Sequence, residues 1–187
     1  MTAPIPVGSA LVVIDVQAGF DDPVWGPRNN PGAEDACGRL VDAWRERKWP
    51  LILVQHDGYD DCPPLQPGQP GHELKPQVAP RPDEPVVHKT VNSAFIGTSL
   101  EQHLRDLAVP GVVLCGLTTD HCVSTTTRMS ANLGFDTWLV ADACAAFDRV
   151  GADGTRYDAQ LVHDVSLASL HDEFATVLTT KEALQGR

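Results

Sequence analysis

The sequence lacks the marks of several large protein classes. Its longest apolar runs, such as Ala10 to Ile14, are five residues, far short of the ~20 that cross a bilayer. Its opening, MTAPIPVGSA, has neither the basic flank nor the apolar stretch of a secretory leader. The five cysteines, Cys37, Cys62, Cys115, Cys122 and Cys144, are odd in number, and none are spaced as in a zinc knuckle or redox motif. No disulfide framework is expected. Basic residues are scarce: 14 Lys and Arg against 25 Asp and Glu leave a net charge of −11. Such a surface repels phosphate backbones and anionic lipid, so no nucleic acid and no membrane partner is expected. There is no internal repeat and no low-complexity tail. These absences point to a cytoplasmic protein with a small-molecule partner.

Apolar residues make up 42% of 187, enough for one sizeable core and a single domain over residues 1–187. Short apolar runs alternate with stretches of helical period, the pattern of an α/β domain with a parallel sheet. Strands are expected at ALVVIDV ending at Asp15, at 51–55, 85–89, 111–116, 136–142 and 173–180. Helices are expected over 34–48, after a capping box of Ser99 and Gln102, from about Asp120 to a stop at Gly134, and over 156–171. The exception is the stretch from His56 to Pro85, which holds eight prolines and shows neither period. Loops of that length in a compact domain are usually lids or binding loops.

In an open parallel sheet, ligands bind at the carboxyl ends of the strands. Strand one ends in Asp15, strand three in Lys89, and strand four leads through GLTTDHCV to Cys122 at a helix start. A carboxylate, an ammonium and a thiol then share one edge, as a nucleophilic site requires. The thiolate is the reactive form, so the helix N-terminus and Lys89 are expected to lower the Cys122 pKa. Asp15 is placed to take the thiol proton and return it to a leaving amine. The turn Leu117–Thr118–Thr119 and the Cys122 N–H offer backbone donors to an oxyanion. Cys37, Cys115 and Cys144 read as packing; Cys62 falls in the long loop without a nameable partner. Phe20, Trp25 and Phe95 are expected as cavity walls. His121 and Thr119, beside the nucleophile, are expected as substrate contacts, and Gln17 as a residue that orients Asp15. His88, one residue before Lys89, points to the other face of the sheet. The acidic surface hints at a cationic substrate through long-range attraction.

The segments LVVIDVQAGF, VVHKTVNSAFIGTSLEQHL and VVLCGLTTDHCVSTTTRMSANLGFDTWLVADA resemble the isochorismatase-like cysteine hydrolases. The resemblance runs from about Ala10 to Thr179. It implies a Rossmann-like three-layer α/β/α sandwich with a six-stranded parallel sheet. It also implies Asp15 as base, Lys89 as electrostatic partner and Cys122 as nucleophile. A cis peptide between Leu117 and Thr118 is implied too, turning the Thr118 N–H into the oxyanion hole. Nicotinamidases in this family carry a metal on an Asp-x-His after strand two; here His56 and Gly58 stand at those places, so no metal and no cofactor is expected. His56 is instead placed among the substrate contacts. An ion held by His56, Asp57, Asp60 and Asp61 is weighed against a hydrated loop face, and the loop face is preferred.

The segment PGQPGHELKPQVAPRP before Lys89 resembles the metal-free branch that includes streptothricin hydrolase, which opens a lactam ring. That implies a cysteine hydrolase of an amide or lactam in a small molecule, working through a thioester and forming a homo-oligomer, dimer or tetramer. Two alternatives stand beside it. One is vinyl-ether hydrolysis with Asp15 as the acid. The other is a non-catalytic metabolite-binding domain, against which the acid in IDVQAGFDD, where a phosphate turn would lie, argues.

Overall fold

A computed structural model describes residues 4–59 and 63–185. Strands β1 (Ala10–Ile14), β2 (Leu51–His56), β3 (Val86–Lys89), β4 (Val112–Leu117), β5 (Thr137–Ala145) and β8 (Thr176–Leu178) form one parallel sheet in the order β3-β2-β1-β4-β5-β8. The short strands β6 (Arg149–Val150) and β7 (Arg156–Tyr157) make a separate antiparallel pair. Every residue of β1 and β4 is buried, as expected of strands covered on both faces, and their sequences are accordingly unbroken apolar runs. Edge strand β3 alternates instead, with His88 out and Lys89 in.

Helices α1 (Ala33–Arg47) and α5 (Thr180–Gln185) pack on each other, as do α3 (Ser124–Asn132) and α4 (Ala159–Leu170), and both pairs touch β5. Helix α2 (Leu100–Asp106) follows β3. The result is the expected three-layer Rossmann-like sandwich. No helix among the described residues is long and apolar enough to cross a membrane.

The chain reverses its direction of travel across the sheet between β1 and β4, and such a switch point opens a crevice at the strand ends. Register fixes what meets there. Ile14 lies opposite Val54 on one side and Gly116 on the other, and His56 lies opposite Lys89. Gly116 has φ of +124°, and a Cβ there would stand 2.0 Å from the Ile14 carbonyl oxygen. Only glycine lets β4 turn away from β1 at this point.

Several sequence expectations are corrected at their edges. The Ser99–Gln102 capping box does not form: Gln102 donates to Asp106, and the Leu100 N–H turns to the Thr98 hydroxyl. The helix expected over 156–171 begins at Ala159, because Arg156–Tyr157 joins the small hairpin and the Asp158 carboxylate caps the Leu161 N–H at 2.8 Å. Strand β5 runs on to Ala145 because a shift of register beyond Leu114 lets Cys144 and Ala145 pair with Gly116 and Leu117. The last strand is shorter than expected, and Thr180 starts α5 with its N–H and hydroxyl donating to Asp142.

Among its described residues, the long stretch after β2 forms short 3-10 turns at Pro63–Leu65, Pro70–His72 and Pro76–Val78. Asp60, Asp61 and Cys62 lie outside the described residues. The rest of the stretch is held in place by polar ties. Buried Lys75 bonds Asp21 at 2.6 Å and Glu34 at 2.7 Å, and Glu34 also takes two bonds from Arg28. Burial works to raise the Glu34 pKa, but the Arg28 and Lys75 bonds outweigh it and hold the carboxyl at about 2. A carboxyl depressed in the folded state contributes stability that is present above its unfolded pKa and is lost as pH falls towards the folded one. Glu34→Gln is therefore expected to remove the part of the acid destabilisation that falls between about pH 4.5 and about pH 2. Urea unfolding of both proteins across that range checks it; parallel curves would contradict it.

Candidate active site

Three adjacent strand ends and one turn converge at the crevice. Asp15 closes β1 in the left-handed region, at φ of 51°, a conformation that aspartate tolerates better than most side chains. His56 ends β2, Lys89 ends β3, and Cys122 sits in the wide turn Thr119–Val123 ahead of α3. The peptide between Leu117 and Thr118 is cis. The Thr118 carbonyl accepts the N–H groups of His121 and Val123, each at 3.2 Å, which folds the turn back under Cys122.

The ammonium of Lys89 is the centre of the arrangement. Its Nζ lies 2.6 Å from Asp15 Oδ2, 2.7 Å from His56 Nδ1, 3.2 Å from the Val91 carbonyl oxygen and 3.3 Å from Cys122 Sγ. The side chains of Lys89 and Asp15 are both 0% exposed. An ammonium only donates, so His56 Nδ1 accepts and the ring proton of a neutral His56 sits on Nε2. The sequence thus places Asp15, Lys89 and Cys122 correctly as neighbours, and the structure adds His56 as a fourth member of the cluster.

The Cys122 thiol departs from expectation. Its pKa is raised well above the ordinary thiol range, first by burial and then by the Asp15 carboxylate; Lys89 pulls the other way and loses. That direction favours the neutral thiol over the thiolate in this setting. The other described cysteines are packing: Cys37, Cys115 and Cys144 are buried, the neighbouring Cys37 and then burial push the Cys115 thiol up, and burial pushes Cys144 up.

A cavity of about 260 Å³ opens over the cluster, lined by His56, Thr118, His121 and Cys122 and walled by Phe20, Trp25 and Leu65. Phe147 stacks on Phe20 and Trp25 at centroid distances of 6.2 and 5.9 Å, Phe20 and Trp25 meet tilted at 5.2 Å, and the Trp25 indole donates to the Gly19 carbonyl. Burial lowers the His121 pKa, more than Asp120 raises it.

Three expected contacts lie elsewhere. Phe95 is part of the core, stacked on Phe135 at 6.1 Å. Gln17 does not orient the Asp15 carboxylate or face the cavity; its amide donates to the carbonyls of His56 and His72 and accepts the His56 N–H, tying the long loop to β2. Thr119 is fully buried, its hydroxyl 2.8 Å from His163 Nδ1. Tyr59, Thr90, Asn92 and Arg149 line the cavity without having been singled out in the sequence. Thr90 and Asn92 directly follow Lys89 and were legible from that position. Arg149 carried no local signal.

Two groups among the described residues bring three metal-ligating atoms within 4.8 Å of one another. In the first, Asp15, His56 and Cys122, the Lys89 ammonium already stands between the ligands. In the second, Asp57 accepts from His72 at 2.8 Å and lies 3.0 Å from His88 Nδ1, on the far side of β3 from Lys89. His56 and Asp57 therefore fall in different groups and face different partners.

Comparison with known proteins points to one family. The isochorismatase domain profile matches residues 9–182. An uncharacterised isochorismatase family protein of Bacillus subtilis, YrdC, is 49% identical, with 94% of each chain covered. Streptothricin hydrolase of Streptomyces noursei is 35% identical over 82% of this chain and 62% of its own. The crystal structure of an isochorismatase-family protein from Chromobacterium violaceum superposes with a TM-score of 0.94 at 44% identity, covering 100% of this chain and 98% of that one.

The opposed influences on Cys122 make a test. Asp15→Asn removes the neighbouring negative charge, so the thiol is expected to titrate at lower pH; Lys89→Met removes the ammonium and moves the titration higher. Ultraviolet thiolate absorbance, taken as the difference from Cys122→Ala, reads both shifts. Movement of the two variants in the same direction would contradict this account.

Proposed function

The chain belongs to the isochorismatase family of hydrolases, and from that premise we propose that it cleaves a carbon–nitrogen bond, amide or lactam, of a small molecule through a thioester on Cys122. The observation that carries this reading is the single ammonium, Lys89 Nζ, lying 2.6 Å from a carboxylate and 3.3 Å from a thiol beside a cavity. An ion pair next to a neutral thiol is the resting state from which a proton can pass to Asp15 as sulfur attacks.

In the proposed cycle Asp15 accepts the Cys122 proton while Sγ bonds to the carbonyl carbon. The carbonyl π electrons move to oxygen, where the Thr118 and Cys122 N–H groups are proposed to receive them. Collapse of the adduct breaks the carbon–nitrogen bond, and the proton on Asp15 goes to the leaving amine. Water then attacks the thioester, giving its proton to Asp15. The second collapse expels the thiolate, which recovers that proton, and an acid leaves. Lys89 stays charged throughout and holds Asp15 in place. His56, through its Nε2–H, supplies a further donor at the cavity.

The test is intact-mass spectrometry after incubation with primary amides and lactams. The wild-type protein is expected to gain the acyl mass, and Cys122→Ala to show neither gain nor turnover. Asp15→Asn is expected to lower kcat by about 10²–10⁴, the usual range for a lost acid–base group. Turnover of a vinyl ether that persists in Cys122→Ala would instead assign the chemistry to Asp15 acting as an acid.

A further inference from the structure

Among the buried residues of α4, Ala159, His163 and Leu170, one is polar, and the proposed cycle leaves it without a task. Both nitrogens of the His163 ring have partners. Nδ1 is 2.8 Å from the Thr119 hydroxyl, and Nε2 is 3.4 Å from Asn30 Nδ2. These partners fix the tautomer. Asn30 Nδ2 also lies 2.8 Å from the Cys144 carbonyl oxygen, an acceptor, so it is the amide nitrogen and only donates. His163 Nε2 therefore accepts, and the ring proton stands on Nδ1 and is donated to Thr119. Burial lowers the His163 pKa more than Asp164 and Asp120 raise it, in keeping with a neutral ring.

The far end of this line of bonds is itself pinned. Asn30 holds a left-handed conformation, with φ of 44°. The adjacent Asn29 side chain accepts the Ala146 N–H, and the Asn29 N–H donates to the Ala146 carbonyl. A directed chain thus runs from the end of β5 through Asn30 and His163 to Thr119.

Thr119 opens the turn that carries Cys122, between the two N–H groups proposed for the oxyanion, those of Thr118 and Cys122. Thr118 stands at the capping position but makes no side-chain bond to the turn. The two bonds to its carbonyl are 3.2 Å long, at the long end of the usual range. Two donors must nevertheless aim at one oxygen, and small misplacements there cost rate steeply. An apolar side chain would fill the His163 site at lower desolvation cost. What the imidazole adds is a bond of fixed direction.

We infer that His163 is a positioning residue for the proposed reaction, holding Thr119 so that the Thr118 and Cys122 N–H groups converge on the carbonyl oxygen as it becomes negative. This role rests on the amide-hydrolase reading and goes beyond it by naming what aligns the donors.

The test separates the reactivity of sulfur from the stabilisation of oxygen. Iodoacetamide reacts at its methylene: sulfur bonds to carbon, iodide leaves, and the thiol proton goes to Asp15 or buffer. No charge forms on its carbonyl oxygen. Propanal instead adds reversibly: sulfur bonds to the carbonyl carbon, the π electrons go to oxygen, and the thiol proton ends on Asp15 or on that oxygen. Peptide mapping at about pH 8, near the ordinary thiol pKa, reads alkylation of Cys122 at rising propanal, and protection gives the aldehyde affinity. His163→Leu and Thr119→Val are each expected to alkylate at close to the wild-type rate without propanal. Both are expected to need about tenfold more propanal for protection, the scale of one weakened hydrogen bond. The double variant is expected to lose no more than either single one. His163→Gln, able to accept from Asn30 and donate to Thr119, is expected to recover most of the affinity. Wild-type propanal affinity in either single variant overturns the role. So does an equal fall in alkylation and affinity, which would mark a general loosening of the turn. Should His163→Leu fail to fold, Thr119→Val breaks the same bond with the ring in place. Wild-type protein that is alkylated but never protected by propanal would sink the carbonyl-addition reading itself, and the role with it.

Discussion

The structure depends on one buried ammonium. Lys89 carries a full charge with no solvent access to its side chain, which is tolerable only because Asp15 stands 2.6 Å away and neutral acceptors take its remaining donors. Left unpaired, a charge so placed would cost several kcal/mol, of the order of 3–5. That requirement ties the end of β3 to the ends of β1 and β2 through Asp15 and His56. It also sets the state of Cys122: an ion pair already balanced beside the thiol gives sulfur little reason to ionise, and burial gives it less.

The fold was legible because burial on both faces of a parallel sheet forces unbroken apolar runs, and those runs survive in the sequence as LVVI, LILV and VVLC. Asp15, Lys89 and Cys122 were legible for a related reason, since chemistry in such a sheet is confined to strand ends and each stands at or just past one. Errors came where a side chain had two possible directions. Phe95 follows the same strand end as Lys89, yet turns inward to meet Phe135. Gln17 stands two residues beyond Asp15, but the backbone of His56 and His72 claims its amide. The lowered thiol pKa was expected from a helix start and a lysine, without the carboxylate and the burial that outweigh them. Nothing in a linear chain reports that Arg149 shares a cavity with Cys122, because that depends on where β5 ends and the small hairpin turns.

Two kinds of support divide the site. The cluster around Lys89 is built on strands in register, where one residue of slip would bury the wrong face. The cavity walls come from loops, held by side-chain bonds from Gln17, Lys75 and Asp120 to distant segments. Each of those ties meets its loop at one or two points.

That division has a consequence for how such a protein can change. Gly19 and Gly71 pass so close that a methyl group on either would collide with the Pro64 carbonyl oxygen, so the loop is seated on its neighbour by contact at a few points while its remaining length is unconstrained by any ladder. New walls can therefore be tried by altering residues between the seats, leaving the cluster around Lys89 undisturbed. A lineage built this way would diversify in what it accepts long before it altered how it reacts.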